Sequence, residues 1–155
     1  MPLGRLKEYL DKNNIKYLII QHSLAYTTPE IAALAHIPDK ELAKTVIIKI
    51  DGKMAMAVLP ASYRVDFDTF KQALGAKKIE MATEKEFEDT FSDCETGAMP
   101  PFGNLYDMSV FVAESLTEDK EITFNACSHR ELIKLAYKDF EKLVSPKTIK
   151  FSYQF

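Results

Sequence analysis

Ala43-Lys44-Thr45-Val46-Ile47-Ile48-Lys49-Ile50-Asp51-Gly52 is the stretch on which the reading of the fold turns. Its β-branched centre predicts a strand over 43–50, and Asp51-Gly52 is a two-residue hairpin signal. The apolar run 53–59 behind it predicts the returning strand. Side chains alternate along a strand, so Lys44 shares a face with Val46, Ile48 and Ile50, and Thr45 shares the other with Ile47 and Lys49. A lysine at the end of an apolar face has two options. It snorkels around the strand end to water, or it projects into a pocket at the edge of the core and meets an anionic or carbonyl ligand.

Outward from this hairpin, short elements alternate without a regular strand–helix rhythm. Leu3, Leu6, Tyr9 and Leu10 predict an amphipathic helix, and Lys16 to His22 a strand. Thr28-Pro29-Glu30 reads as a helix start, with Pro at the first helical position. Asp66 caps a helix carrying Phe67, Phe70 and Leu74 that stops at Gly75. A short strand at 78–82 precedes a capping box, Thr83 with Glu86, that opens a helix over 84–91. Strands follow at 106–113 and 121–126. Ser128 with Glu131 reads as a second capping box, opening a helix to about Leu143. Thr148 to Tyr153 is a last strand. These signals predict one domain spanning residues 1–155, of mixed α/β class, with a curled mixed or antiparallel sheet and short helices packed outside it.

The bulk numbers fit one soluble domain: 155 residues, 46% hydrophobic and 28% charged. No apolar run reaches the length of a membrane span, and charges interrupt the N-terminus before a signal-peptide core forms. Two cysteines, Cys94 and Cys127, far apart and without metal-ligand spacing, point to free thiols in a reducing cytoplasm. A net charge of −3 argues against bulk electrostatic grip on nucleic acid such as DNA, though not against a local basic patch.

Three further features bear on chemistry. The loop Gly97-Ala98-Met99-Pro100-Pro101-Phe102-Gly103-Asn104 is stiffened by prolines, and its glycines permit close backbone approach. It either shapes a pocket or is a rigid connector whose Phe102 plugs the core. Asn125-Ala126-Cys127-Ser128-His129 reads as a strand-to-helix junction, where side chains and helix N–H groups converge. His129 there either faces a ligand or is a surface residue, and His22 at a strand end has the same two readings. Cys127 with His129 also suggests a thiol nucleophile, but no group is placed to orient the imidazole. On the predicted C-terminal helix, Arg130, Lys134, Lys138 and Lys142 form a ridge spaced four apart, either a solvated face or a strip for phosphates. Nothing resembles a metal-ligand cluster, a cofactor motif or a serine triad.

Taken in order, Ala43-Lys44-Thr45-Val46 at a strand start, Gly97-x-x-x-Pro101 in a loop and Asn125-x-x-x-His129 resemble the YbaK/ProX family of aminoacyl-tRNA deacylases. That family includes the editing domain inserted in bacterial prolyl-tRNA synthetases, and the resemblance covers nearly the whole chain. It implies hydrolysis of the ester joining a wrong amino acid to the 3′ CCA end of a tRNA, without a cofactor or a metal. It implies that Lys44 matches the essential lysine and that Gly97 and Pro101 match the pocket loop. Lys44, Gly97 and His129 are then the catalytic candidates. His22, Thr45, Ala98, Met99, Pro100, Pro101, Phe102, Gly103 and Asn125 are the substrate-binding candidates. Asn125 and His129 are similar to the alanyl-tRNA(Pro) deacylases, whereas Thr45 stands where those often carry Asn. Alanine is the first expected substrate, with cysteine and serine next, and an aminoacyl-tRNA synthetase is a candidate partner. A catalytically weak module that binds tRNA ends or an aminoacyl-nucleotide is the alternative.

Overall fold

The computed structural model describes residues 4–21, 41–95 and 97–154. In chain order these form α1 (Gly4–Lys12), β1 (Tyr17–Gln21), β2 (Leu42–Ile50), β3 (Lys53–Pro60), β4 (Tyr63–Val65), α2 (Phe67–Leu74), β5 (Ile79–Met81) and α3 (Glu84–Phe87). Then come β6 (Ser109–Ala113), β7 (Glu121–Asn125), β8 (Glu131–Ala136), α4 (Tyr137–Val144), β9 (Lys147–Ile149) and β10 (Ser152–Gln154). His22 and the helix expected from Thr28 lie outside the described residues.

The main sheet runs β1-β8-β7-β2-β3-β6-β9, with β5 on the outer edge of β2; β10 and β4 form a separate two-stranded ribbon. Antiparallel β2–β3 is the predicted hairpin. Its turn residues take φ of +49° at Asp51 and +89° at Gly52, the pair of positive values that a twist-matched two-residue turn demands. The Asp51 carboxylate accepts from the N–H groups of Lys77 and Lys78 at 3.0 and 2.8 Å, so the hairpin tip also fixes the start of β5. Parallel pairings join β2 to β7, β3 to β6 and β6 to β9, giving the mixed sheet expected from the sequence.

Alternation sends apolar side chains to both sides of this sheet. One core gathers Leu6, Leu10, Ile47, Met56, Phe124 and Phe140; the other gathers Ile48, Leu59, Phe70, Phe111 and Phe151. In the second, Phe70 stacks on Phe151 with centroids 4.4 Å apart. The α2 helix reaches this core because Asp66 caps it as predicted, accepting from the Thr69 N–H at 3.1 Å, and Gly75 ends it at φ +64°.

The region after Asn125 differs from expectation. Residues 131–136 are the strand β8, not helix, and the helix begins only at Tyr137. Leu132, Ile133 and Leu135 do not form a single helical stripe, because β8 is an inner strand with apolar contacts on both faces. It pairs with β1 and β7, and this ladder outweighs the helix propensity of Glu-Leu-Ile-Lys-Leu-Ala. The basic ridge therefore does not exist. Arg130 lies in the β7–β8 turn, Lys134 is on β8 paired with Glu121 at 3.4 Å, and Lys138 and Lys142 alone are on α4. The expected last strand is two, β9 and β10, which join different sheets on either side of the buried Phe151. The helix from Thr83 is a single turn, although its capping box is present.

Candidate active site

The outer edge of β2 is shared between two neighbours that do not meet. Leu42 and Ala43 pair with β7, and Ile48 to Ile50 pair with β5. The N–H of Ala82 donates to the Ile47 carbonyl at 3.0 Å. Among the described residues no strand pairs with that edge at Lys44, Thr45 and Val46. Because Val46 lies in the hairpin register opposite Ala57, the backbone N–H and C=O of Thr45 turn toward the gap. The sheet thus opens at the residues that sequence motifs singled out.

A cleft lies on each side of the opening. One, of about 230 Å³, is lined by Thr45, Ile47, Ala82, Phe87, Gly97 and Met99, with Glu84 the single carboxylate among the described residues of its lining. The other, of about 270 Å³, is lined by Lys44, Arg64, Phe67 and Tyr153. Val46 and Met81 line both and form the ridge between them. The Lys44 side chain is half-buried, and burial first, then the nearby Arg64 charge, pushes its ammonium below the usual lysine range. Lys44 therefore takes the pocket option rather than a fully solvated one. Asn125, one step beyond the Phe124–Ala43 pair, is level with Lys44 and on the same side of the sheet. Its Oδ1 is buried without a hydrogen-bond partner among the described residues.

The loop carrying Gly97 is clamped to the β7–β8 turn. The Glu95 N–H donates to the Cys127 carbonyl and the Cys127 N–H to the Ala98 carbonyl, both at 2.9 Å. The His129 N–H donates to Oε2 of Glu95 at 3.1 Å. Gly97 has φ +85°, and a Cβ placed on it would stand 3.5 Å from Cε1 of the buried His129 ring. The histidine is the backing of Gly97 and is not among the residues that line the cleft. Cys94 and Cys127 are joined as a disulfide across the same two segments, which corrects the expectation of separate thiols. A thiol nucleophile at Cys127 is thereby set aside. The β5 and α3 segments that supply Met81, Glu84 and Phe87 are tied to β2 by Lys49, which pairs with Glu80 at 3.2 Å and Glu86 at 2.5 Å. That pairing, with the Thr83 N–H, lowers the Glu86 carboxyl to about 2.

The structure thus brings together Thr45, Gly97 and Met99, backs Gly97 with His129, and puts Lys44 in the adjoining cleft rather than the same one. Ala98, Pro100, Pro101 and Gly103 are buried in the loop. Phe102 is fully buried, its ring centroid 5.5 Å from Phe124 and 5.6 Å from Phe140, so it plugs the core. Sequence reasoning missed Arg64, Met81, Glu84, Phe87 and Tyr153. Met81, Glu84 and Phe87 stand in elements that local pattern announces, but nothing local tells that those elements border a cleft, and Arg64 and Tyr153 reach theirs through the pairing of β4 with β10.

The fold of this chain is shared with solved structures. It matches a solved structure assigned as a candidate trans-editing enzyme for prolyl-tRNA synthetase with a TM-score of 0.83, covering 98% of this chain and 97% of that one at 16% identity. The chain belongs to the aminoacyl-tRNA editing domain family, whose pattern it matches over residues 22–143, and it is an enzyme of that deacylase class. The prolyl-tRNA editing protein ProX of Acetoanaerobium sticklandii is 25% identical over 144 residues, covering 87% of this chain and 85% of that protein. The proline–tRNA ligase of Bacillus mycoides is 23% identical over 99 residues, covering 64% of this chain. The chain spans 17% of that ligase's length. Among the described residues no helix is long and apolar enough to cross a membrane.

Proposed function

We propose that this chain acts in trans, in the cytoplasm, to hydrolyse the ester of a small amino acid mischarged onto tRNA, with Ala-tRNA(Pro) the first candidate and Cys- and Ser-tRNA next. The observation that carries the reading is the small, largely apolar cleft lined by both Thr45, at the unpaired edge of β2, and Gly97. An aminoacyl ester is already reactive, so placing a water and offering donors to the developing oxyanion suffices. The aminoacyl group occupies this cleft, with Ile47, Phe87 and Met99 limiting its size and Glu84 at hand for its α-ammonium. Lys44 engages the nucleotide side of the ester from the neighbouring cleft. His129 acts as a positioning residue by fixing Gly97. An apolar pocket separates amino acids differing by one methylene by only about 1–3 kcal/mol, so exclusion by size favours small substrates.

The test is deacylation of a panel of mischarged tRNAs by wild type and Lys44→Ala. Hydrolysis of one member, lost in the variant, supports the reading. Tight tRNA binding without turnover across the panel replaces it with the binding-module alternative.

A further inference from the structure

Arg64 and Tyr153 are a cross-strand pair in the β4–β10 ribbon, and both side chains line the cleft that holds Lys44. Directly opposed residues on antiparallel strands carry their side chains on one face about 5 Å apart. Arg64 is exposed and Tyr153 is 49% exposed, so both are accessible to a ligand. Phe67 adds a second aromatic wall, and no carboxylate is among the described residues lining this cleft. In a chain of net charge −3, two cations and two aromatic rings around about 270 Å³ form a local site for an anion attached to a flat ring. Burial first, and then the Arg64 charge, disfavour the Lys44 ammonium, and an anion bound beside it favours the charged form.

We propose that Arg64 and Tyr153, with Lys44, seat the terminal nucleotide of the tRNA. The Arg64 guanidinium takes a phosphate on its planar fork, and the Tyr153 ring stacks on the base. The Val46–Met81 ridge then divides the substrate: the nucleotide lies on the Lys44 side, the amino acid on the Gly97 side, and the ester bond crosses between them. This inference rests on the deacylase reading above, but its binding arm does not require turnover. Arg64 supplies the orientation, since an unpaired 3′ end has no helix geometry to dock by.

The experiment titrates wild type, Arg64→Ala, Arg64→Lys, Tyr153→Ala and Tyr153→Phe with a CCA trinucleotide, AMP and inorganic phosphate, and measures KM for a mischarged tRNA. Thermal unfolding checks that each surface variant is folded. Tyr153→Ala is expected to weaken trinucleotide binding roughly five- to hundredfold, with Tyr153→Phe close to wild type. Arg64→Ala should raise KM about tenfold or more and lower the slope of log affinity against log salt by about 0.7, as loss of one phosphate contact requires on a single strand. Arg64→Lys should restore the salt slope but not the full affinity. Folded Arg64→Ala and Tyr153→Ala that keep trinucleotide affinity and KM within twofold overturn the proposal, as does tighter binding of AMP than of the trinucleotide. Arg64-dependent trinucleotide binding in a wild type without turnover sustains it and sinks the deacylase reading instead.

Discussion

Replacing Gly97 by alanine separates backbone strain from catalysis, because a second glycine supplies the control. Gly97 and Gly75 both sit in the left-handed region, at φ +85° and +64°. A side chain there costs about 1–2 kcal/mol. A methyl on Gly75 meets nothing within 4 Å, and one on Gly97 meets His129 at 3.5 Å, an ordinary contact. Neither adds a steric clash, so Gly75→Ala and Gly97→Ala should lose similar stability. For a domain of this size each kcal/mol lowers Tm by about 2–4 °C, giving a fall of roughly 2–8 °C in both. Their activities should differ. Relief of the strain at 97 moves the loop that lines the proposed site with Thr45, and a displacement of about 1 Å costs on the order of a hundredfold in rate. Circular dichroism melts and single-turnover deacylation of Ala-tRNA(Pro) report the two quantities. A Gly97→Ala enzyme within twofold of wild type, at the Tm of Gly75→Ala, refutes the assignment of this backbone to the ester.

Three other outcomes are expected. Lys44→Met should abolish deacylation while holding or raising Tm, because it removes a half-buried cation beside Arg64; a lowered Tm would show that Lys44 is structural. Glu86 is held near 2 against an ordinary 4.5, so its contribution to stability is present above about pH 4.5 and is lost as pH falls toward 2. Glu86→Gln should flatten the acid limb of the stability profile in that window, and an unchanged profile would show that Lys49 does not engage it in solution. Reduction of the Cys94–Cys127 bond, which spans 33 residues, should cost about 3–4 kcal/mol by loop entropy. Identical melts with and without a phosphine reductant would mean the sulfurs are not joined.

The hairpin, the Asp66 and Gly75 caps and the loop glycine were legible because local chemistry dictates them. Asp51-Gly52 has few conformations that suit it, and Asp66 has a nearby N–H to accept from. Residues 131–136 were not, because their conformation is decided by β1 and β7, over a hundred residues away in the first case. The pattern Glu-Leu-Ile-Lys-Leu-Ala suits either period, and only burial on both faces selects the strand. The same holds at the site. Lys44, Thr45 and Gly97 stand in motifs, whereas Arg64 and Tyr153 meet through a three-residue ribbon whose halves are separated by most of the chain. His129 was named, but its place behind Gly97, not in the cleft, follows from a turn that the helix expectation had removed.

Ile47, Phe87 and Met99 bound the cleft beside Gly97 and are also buried members of the larger core. On the proposed reading, selectivity and solidity draw on the same side chains. Trimming Met99 to admit a bulkier amino acid would hollow the interior at a cost of about 2–5 kcal/mol, a sizeable share of the margin by which a domain stays folded. On that reading, a lineage built on this scaffold alters its substrate preference only by first accumulating stability elsewhere, or by changing residues at the rim, such as the exposed Glu84.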